Sequence, residues 1–340
     1  MAEPVSKKRK TDENTDPKTN QKRAVDAGLW FEDGNIILVA QHTPFKVHRG
    51  LLSHKSEVFK DIFTLPPPEK LSGDDIMDGI PTIQMSDNWQ DLSDVLSALY
   101  NGQGSFGFRK KLHFRTVSAL LRLGNKYGLV DLEQEAIARL QRLFPSDLQD
   151  FQNGYTESDY ERENMHLFCS TSRIRLRSSD AIAAVNLARA YNIPSILPAA
   201  FYICSRLPVE LLVQGVSTPK GTSPNILSRV DLIRCWNGQI ELGRRYGLKM
   251  QAMSNAIAQR PACTGSWHCQ ELKKTWEAED DRDTDCQDAL GCCLVGSQWV
   301  TTDDEELCAA CHSRRVLLWD DFRQSTWDDL PKIFDVENNM

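Results

Sequence analysis

The sequence predicts an α+β fold: a short sheet capped by a cluster of helices, followed by a mostly α-helical C-terminal region. Two observations support this prediction. Between residues 28 and 146, short β-branched apolar runs alternate with segments whose apolar residues recur every three or four positions. After residue 178 the helical spacing dominates. A chain of 340 residues is long enough for roughly two domains of ordinary size.

Three strands are predicted in the N-terminal part. The turn residues Asp33-Gly34-Asn35 precede the apolar run 36–40, and a second short strand follows over 43–47. The alternating segment 82–85 predicts the third strand.

The helices of the same part are predicted from apolar residues spaced by three and four. They cover 51–63, with a polar break at 53–57, then 91–100, 117–127 and 129–143. Pro145 closes this unit, because proline cannot continue a helix.

This order of elements, together with three motifs, resembles the BTB/POZ family over roughly residues 29–144. The family signature His-x-x-x-Leu-x-x-x-Ser-x-x-Phe is followed in order by Leu96-x-x-Leu99-Tyr100-x-Gly102 and by Leu120-Leu121-x-Leu123-Gly124-x-Lys126-Tyr127. The proline run 66–68 and the cysteines near the C-terminus are similar to fungal members. The residues that fit the signature, all with structural roles by resemblance, are Asp33, His48, Leu52, Ser56, Phe59, Tyr100 and Gly102.

The resemblance implies a non-enzymatic adaptor or scaffold that binds other proteins and pairs with itself as a homodimer. Two features invite an enzymatic interpretation instead. Asp33 and His48 suggest a catalytic triad, but no nucleophile accompanies them in the sequence. The glycines of 102–107 form a G-x-G-x-x-G, but a helix is predicted before them where a dinucleotide site needs a strand. We therefore predict a flexible loop there.

Composition, together with the resemblance, divides the chain into five segments. We predict a disordered basic tail over 1–27, a BTB/POZ domain over 28–146 and a linker or long loop over 147–177. A helical extension then covers 178–260, beginning at the N-cap pair Ser179-Asp180, and a cysteine- and tryptophan-containing region covers 261–340.

The tail carries a dense basic cluster on a chain whose net charge is −7. The cluster is Lys7, Lys8, Arg9 and Lys10, and Lys22-Arg23 suits the second half of a bipartite signal. This pattern predicts nuclear import; the alternative is a tail that only solvates the chain. No membrane span is expected, since the longest apolar run near the start has five residues, at 36–40.

Four cysteines form two pairs near the C-terminus. Cys308 and Cys311 form a C-x-x-C, and five residues separate Cys263 from Cys269. One pair from each end would supply the four thiolates of a structural zinc site. The spacing is not that of a standard finger, so two alternatives stay open: buried thiols on a helix predicted over 305–318, and a redox C-x-x-C. Further candidate ligands are Cys286, Cys292 and Cys293.

Two more segments are candidates for partner binding. The run 277–288 has a local net charge of −6 and is interpreted as a solvated loop or a site for a basic partner. The tryptophan-rich end, 319–334, is too apolar for a free tail, and we expect it to dock on the helical region or to form a binding patch.

Two interaction roles compete. Members of the family that act as substrate adaptors of a cullin-based ubiquitin ligase often carry a hydrophobic-x-acidic motif after the Tyr-x-Gly segment, where this chain has the basic cluster 109–111. The basic tail favours the other role, a nuclear scaffold. Direct nucleic-acid binding ranks low, because the chain is acidic and has no standard zinc finger.

Overall fold

The computed structural model describes residues 24–25, 27–65, 76–106, 111–154, 166–169, 174–177, 179–216, 224–258, 263, 269 and 308–337. The chain divides into two compact units. Unit 1 contains the residues up to 110 and 115–137, and unit 2 contains 111–114 and 138–340.

The sheet of unit 1 has four strands in the order β2-β1-β4-β3. They are β1 (Ile36–Ala40), β2 (Thr43–Val47), β3 (Ile76–Met77) and β4 (Ile80–Met85). Strand β1 pairs antiparallel with β2 and parallel with β4, and all five of its residues are buried. A strand buried on both faces needs a continuous apolar run rather than an alternating one, which explains the sequence Ile-Ile-Leu-Val-Ala.

The β1–β2 hairpin closes through two residues with left-handed backbone, Gln41 at φ 46° and His42 at φ 68°. Positive φ at both central positions is the geometry that matches the twist of a two-residue hairpin. The three predicted strands are thus confirmed, and the two-residue strand β3 was missed because it is too short to carry a pattern.

Five helices follow from the predicted periodicities. They are α1 (Arg49–Lys55), α2 (Glu57–Thr64), α3 (Trp89–Phe106), α4 (Phe114–Lys126) and α5 (Val130–Leu143). In unit 1 they bury the residues that set the helical spacing, among them Leu92, Leu96, Val117, Leu120 and Leu121.

The prediction of a loop at the glycine-rich segment is wrong up to Phe106. Helix α3 does not end near Tyr100 but continues through Gly102 and Gly104 to Phe106. Glycine lowers helix stability by only about 1 kcal/mol per residue, so a long helix already formed can extend through it. The last glycine of the motif, Gly107, lies outside the described residues.

In unit 2, the segment 147–177, interpreted as a linker or long loop, contains regular structure. Helix α6 (Leu148–Gly154) is followed by strands β6 (His166–Cys169) and β7 (Ile174–Arg177). Strand β7 pairs parallel with β5 (Leu112–His113) and antiparallel with β6. The burial of alternate β7 residues, Ile174 and Leu176, explains the strand, which the surrounding polar residues hid at the sequence level.

The rest of unit 2 is helical, as predicted. Helices α7 (Asp180–Ala190), α8 (Leu197–Cys204), α9 (Val209–Gln214), α10 (Arg229–Ala258), α11 (Ala309–Asp328) and α12 (Leu330–Ile333) follow, with a 3₁₀ turn over Pro194–Ile196. Helix α9 ends at Gly215, whose φ of 73° is a left-handed conformation that glycine adopts without strain. None of the helices in the described part of the chain is long and apolar enough to cross a bilayer.

Candidate functional site

The first group of signature residues forms a hydrogen-bonded network beside strand β2 in unit 1. The hydroxyl of Tyr100 accepts the backbone N–H of His48 at 2.6 Å and lies 3.0 Å from His48 Nδ1. His48 Nε2 lies 3.1 Å from a carboxylate oxygen of Asp33. Phe31 stacks on the Tyr100 ring at 4.4 Å between centroids. The network thereby joins the segment before β1, the residue between β2 and α1, and helix α3.

One set of proton positions satisfies all of these contacts. Because the Tyr100 oxygen accepts one N–H, its own proton is free to point to Nδ1 of His48. The other ring nitrogen then carries the hydrogen that faces Asp33. The hydrogen bond from His48 lowers the pKa of Asp33, and burial raises the pKa of Tyr100. Asp33, His48 and Tyr100 are thus linked by a chain of polar contacts within unit 1.

The second group of signature residues joins α2 to the end of α4. Ser56 stands at the N-cap of α2, where its oxygen accepts the N–H of Phe59 at 2.9 Å and its hydroxyl donates to the carbonyl of Tyr127. Phe59 stacks on the Tyr127 ring at 4.6 Å. Leu52 is fully buried next to this junction in the chain. The spacing of Ser56 and Phe59 is therefore that of a helix cap.

Asp87 completes this junction and was not identified from the sequence. Its carboxylate accepts the hydroxyl of Tyr127 and lies 2.7 Å from Nζ of Lys126. Burial, followed by the bond to Asp87, raises the pKa of the Tyr127 hydroxyl. The signal for Asp87 is weak, because a single acidic residue after a strand is common in loops. The seventh signature residue, Gly102, lies within helix α3.

The second candidate site lies in unit 2, where the four cysteines named from the sequence come together. The sulfur atoms of Cys263, Cys269, Cys308 and Cys311 all lie within 4.8 Å of one another. Cys269 and Cys311 are buried, and Cys263 and Cys308 are half-buried. None of the four is part of a disulfide bond. Such a group is able to hold a metal ion.

Helix α11 positions two of these thiols. Cys308 is its N-cap residue and Cys311 lies in its first turn, so the C-x-x-C starts the helix instead of lying within one predicted over 305–318. The backbone N–H of Cys308 donates to Sγ of Cys269 at 3.4 Å. Burial, followed by hydrogen bonding with Cys308, raises the pKa of the Cys311 thiol.

Two other cysteines are buried elsewhere in unit 2. Burial raises the pKa of Cys204 well above its ordinary value and that of Cys235 to about 12. Thiols held in the protonated form in this way are chemically inert. The further candidates at 286, 292 and 293 lie outside the described residues.

The tryptophan-rich end docks on the helices of unit 2, as expected. Trp327 lies against Phe151 and donates its indole N–H to the carbonyl of Ser146 at 2.7 Å. Phe334 is fully buried and stacks on Phe201 at 5.5 Å. The import cluster at residues 7–10 and the acidic run 277–288 lie outside the described residues, and their predicted roles stay predictions.

Comparison with known proteins identifies the family of the N-terminal domain. Residues 32–142 match the family described as the BTB/POZ domain. No curated protein matches the chain. The match covers β1 to α5 almost entirely and contains every signature residue described above. The chain therefore carries a BTB/POZ domain over residues 32–142.

Proposed function

We propose that the protein is a nuclear adaptor or scaffold that pairs with itself through its BTB/POZ domain and binds other proteins. The observation that carries the proposal is the match of residues 32–142 to a family whose domains are typically interaction modules. The contacts that join Asp33, His48 and Tyr100 agree with it, since they link separate segments of the domain.

The two edges of the unit 1 sheet differ, and this difference favours one surface for pairing. The backbone of residues 30 and 31 covers the outer edge of strand β2. Trp30 forms a parallel β-bridge with Lys46, and the N–H of Phe31 donates to the carbonyl of Lys46 at 3.0 Å. Strand β3 pairs on one side with β4, and within the described residues no strand lies on its other side. Ile76 and Met77 of β3 are exposed. An open, apolar edge is a template for strand addition by a second copy.

Sedimentation of the full chain tests pairing. The wild-type protein is expected to be a dimer, and replacing Ile76 and Met77 with Lys is expected to give a monomer, because charges on an edge strand oppose pairing. Val213→Lys, at an exposed position of α9, is the matched control and is expected to stay dimeric. A monomeric wild-type chain contradicts self-association, and a dimeric Ile76/Met77 variant contradicts the choice of edge.

Nuclear import is supported by the basic cluster of the tail. Replacing Lys7, Lys8, Arg9 and Lys10 with Ala is expected to move a fluorescently tagged protein to the cytoplasm, because an importin recognises the clustered charge. Replacing Lys22 and Arg23 separately tests the bipartite form. Unchanged nuclear signal in the four-residue variant contradicts the import proposal.

Affinity purification of the tagged chain from its own cells, followed by mass spectrometry, identifies the partners. Nuclear proteins and the chain itself are expected, since the segment after Gly102 carries basic residues at 109–111 in place of the acidic motif of cullin-binding members. Stoichiometric recovery of a cullin would replace the scaffold role with that of a ubiquitin-ligase adaptor.

A further inference from the structure

The four clustered cysteines come from two stretches of chain separated by residues 270–307. Their sulfur atoms lie within 4.8 Å of one another. In a tetrahedral zinc–thiolate site the metal–sulfur distance is about 2.3 Å, which places the sulfurs about 3.8 Å apart. The cluster is thus of the size that one ion needs, with two ligands from each stretch.

Two features of the cluster would stabilise the thiolates that a bound metal ion requires. The N–H of Cys308 points at Sγ of Cys269, and hydrogen bonds of this kind stabilise charge on a metal-bound sulfur. Cys308 and Cys311 lie at the N-terminus of a helix of 20 residues, where the aligned peptide dipoles favour negative charge. Since Cys269 and Cys311 are buried, a cation is needed to balance that charge.

Helix α11 itself needs an anchor at this end. Its buried residues after the first turn are Phe322, Thr326 and Trp327, all in its second half. Before them Cys311 is the only buried residue of the helix, and Val316 and Leu317 are exposed. The ring contact with α10 from Trp319 to Tyr246 also lies toward the second half. The buried apolar side chains of α11 therefore lie in its C-terminal half, and the buried residue of its first turns is a member of the cysteine cluster.

We infer that Cys263, Cys269, Cys308 and Cys311 bind one Zn²⁺ ion in a closed structural site that fastens the start of α11 to the chain that follows α10. Four thiolates are soft ligands, which select zinc over magnesium or calcium. They also fill a tetrahedron, so no position remains for a substrate and the site is structural rather than catalytic. The ion joins two ligand pairs that are separated in the chain by residues 270–307, and this role is independent of pairing by the BTB/POZ domain.

Metal analysis of the full chain, purified under reducing conditions, tests the inference. One zinc per chain is expected, with X-ray absorption showing four sulfur ligands at about 2.3 Å. Cys311→Ser is expected to lower the zinc content, whereas replacing Cys286, Cys292 and Cys293 with Ser is expected to leave it unchanged. Iron in place of zinc, no bound metal, or nitrogen and oxygen ligands in the absorption spectrum would overturn the inference.

Hydrogen exchange tests the anchoring role without any variant. Removing zinc with a chelator is expected to speed amide exchange over residues 309–318, while exchange within 32–142 stays the same. Adding zinc back is expected to restore protection, and Co²⁺ in its place is expected to give the intense visible absorption of a tetrahedral thiolate complex. Unchanged exchange over 309–318 after complete metal loss would contradict the anchoring role.

Discussion

The BTB/POZ domain and the C-terminal segment 308–337 hold their residues in place by different means. In the domain, signature residues close together in the chain, from Asp33 to Phe59, cap a helix and join it to Tyr100 and Tyr127. The C-terminal segment depends on partners far away in the chain: Trp327 on Ser146, and Asp335 on Arg234. A motif of closely spaced residues can be recognised in one sequence, whereas the partner residue of a distant docking contact cannot.

The largest expected effect comes from the core of the domain. Leu120 is buried in the middle of α4, so Leu120→Ala leaves a cavity that cannot be relieved by local undocking. The free energy of unfolding is expected to fall by about 2–5 kcal/mol. Urea denaturation of the full chain measures it. Val130→Ala, at an exposed site, is the control, and a loss below about 1 kcal/mol at Leu120 would contradict its place in the core.

The C-terminal segment should respond differently, because it can detach. Gly238 of α10 faces Phe334 so closely that an added Cβ would lie 2.1 Å from Cε1 of that ring. Phe334 is fully buried against Phe201 and cannot move aside. Gly238→Ala is expected to cost about 1–3 kcal/mol by overpacking and to release the segment 330–336.

Limited proteolysis and hydrogen exchange of residues 330–336 detect that release. Gly247→Ala on the same helix is the matched control, since a Cβ there meets nothing within 4 Å. It is expected to stabilise the helix by about 0.5–1 kcal/mol, because alanine has the higher helix propensity. Equal protection of 330–336 in both variants would mean that Phe334 relaxes more easily than its burial indicates.

Removing the helix cap at Ser56 is expected to have a smaller effect on the stability of the domain. Ser56→Ala removes the bond to the N–H of Phe59 and the bond to the buried carbonyl of Tyr127. A loss of about 1–2 kcal/mol in unfolding free energy is expected. Ser179→Ala is the control, since Ser179 stands at the N-cap of α7 but makes no side-chain cap bond. If both variants lose the same stability, the signature serine is not acting as a cap.

Much of the domain could be predicted from sequence because each of its elements carries its own signal. The run Ile36–Ala40 and the His48–Phe59 signature are local, and so are the C-x-x-C and its upstream pair. The predictions that were wrong concern elements that depend on tertiary context. Helix α3 continues through Gly102 against its propensity, and β7 in a polar segment exists because β5 and β6 flank it. Ser179 follows the capping rule in sequence, yet the carboxylate of its neighbour Asp180 accepts the N–H of Arg177 instead.

The smallest expected effect is a pH dependence of stability, and it arises from the contact between α10 and the end of α11. Hydrogen bonds from Arg244 and then Arg245 lower the pKa of Glu241 from 4.5 to about 2. Arg245 also lies 2.6 Å from a carboxylate oxygen of Asp329, the C-cap residue of α11. The Glu241 carboxylate therefore positions an arginine that links α10 to the end of α11. Because the pKa is lower in the folded state, this stabilisation is present above pH 4.5 and is lost as the pH falls through about 2.

The comparison of Glu241→Gln with the wild type isolates that contribution. The wild-type chain is expected to lose stability more steeply than the variant as the pH falls from 4.5 toward about 2, as followed by urea denaturation at successive pH values. The difference should be modest, because ion pairs open to solvent are screened. Parallel curves for the two proteins would show that the Glu241–Arg245 pair contributes nothing to docking, which would then depend on other contacts such as the burial of Phe334 and the bond from Trp327 to Ser146.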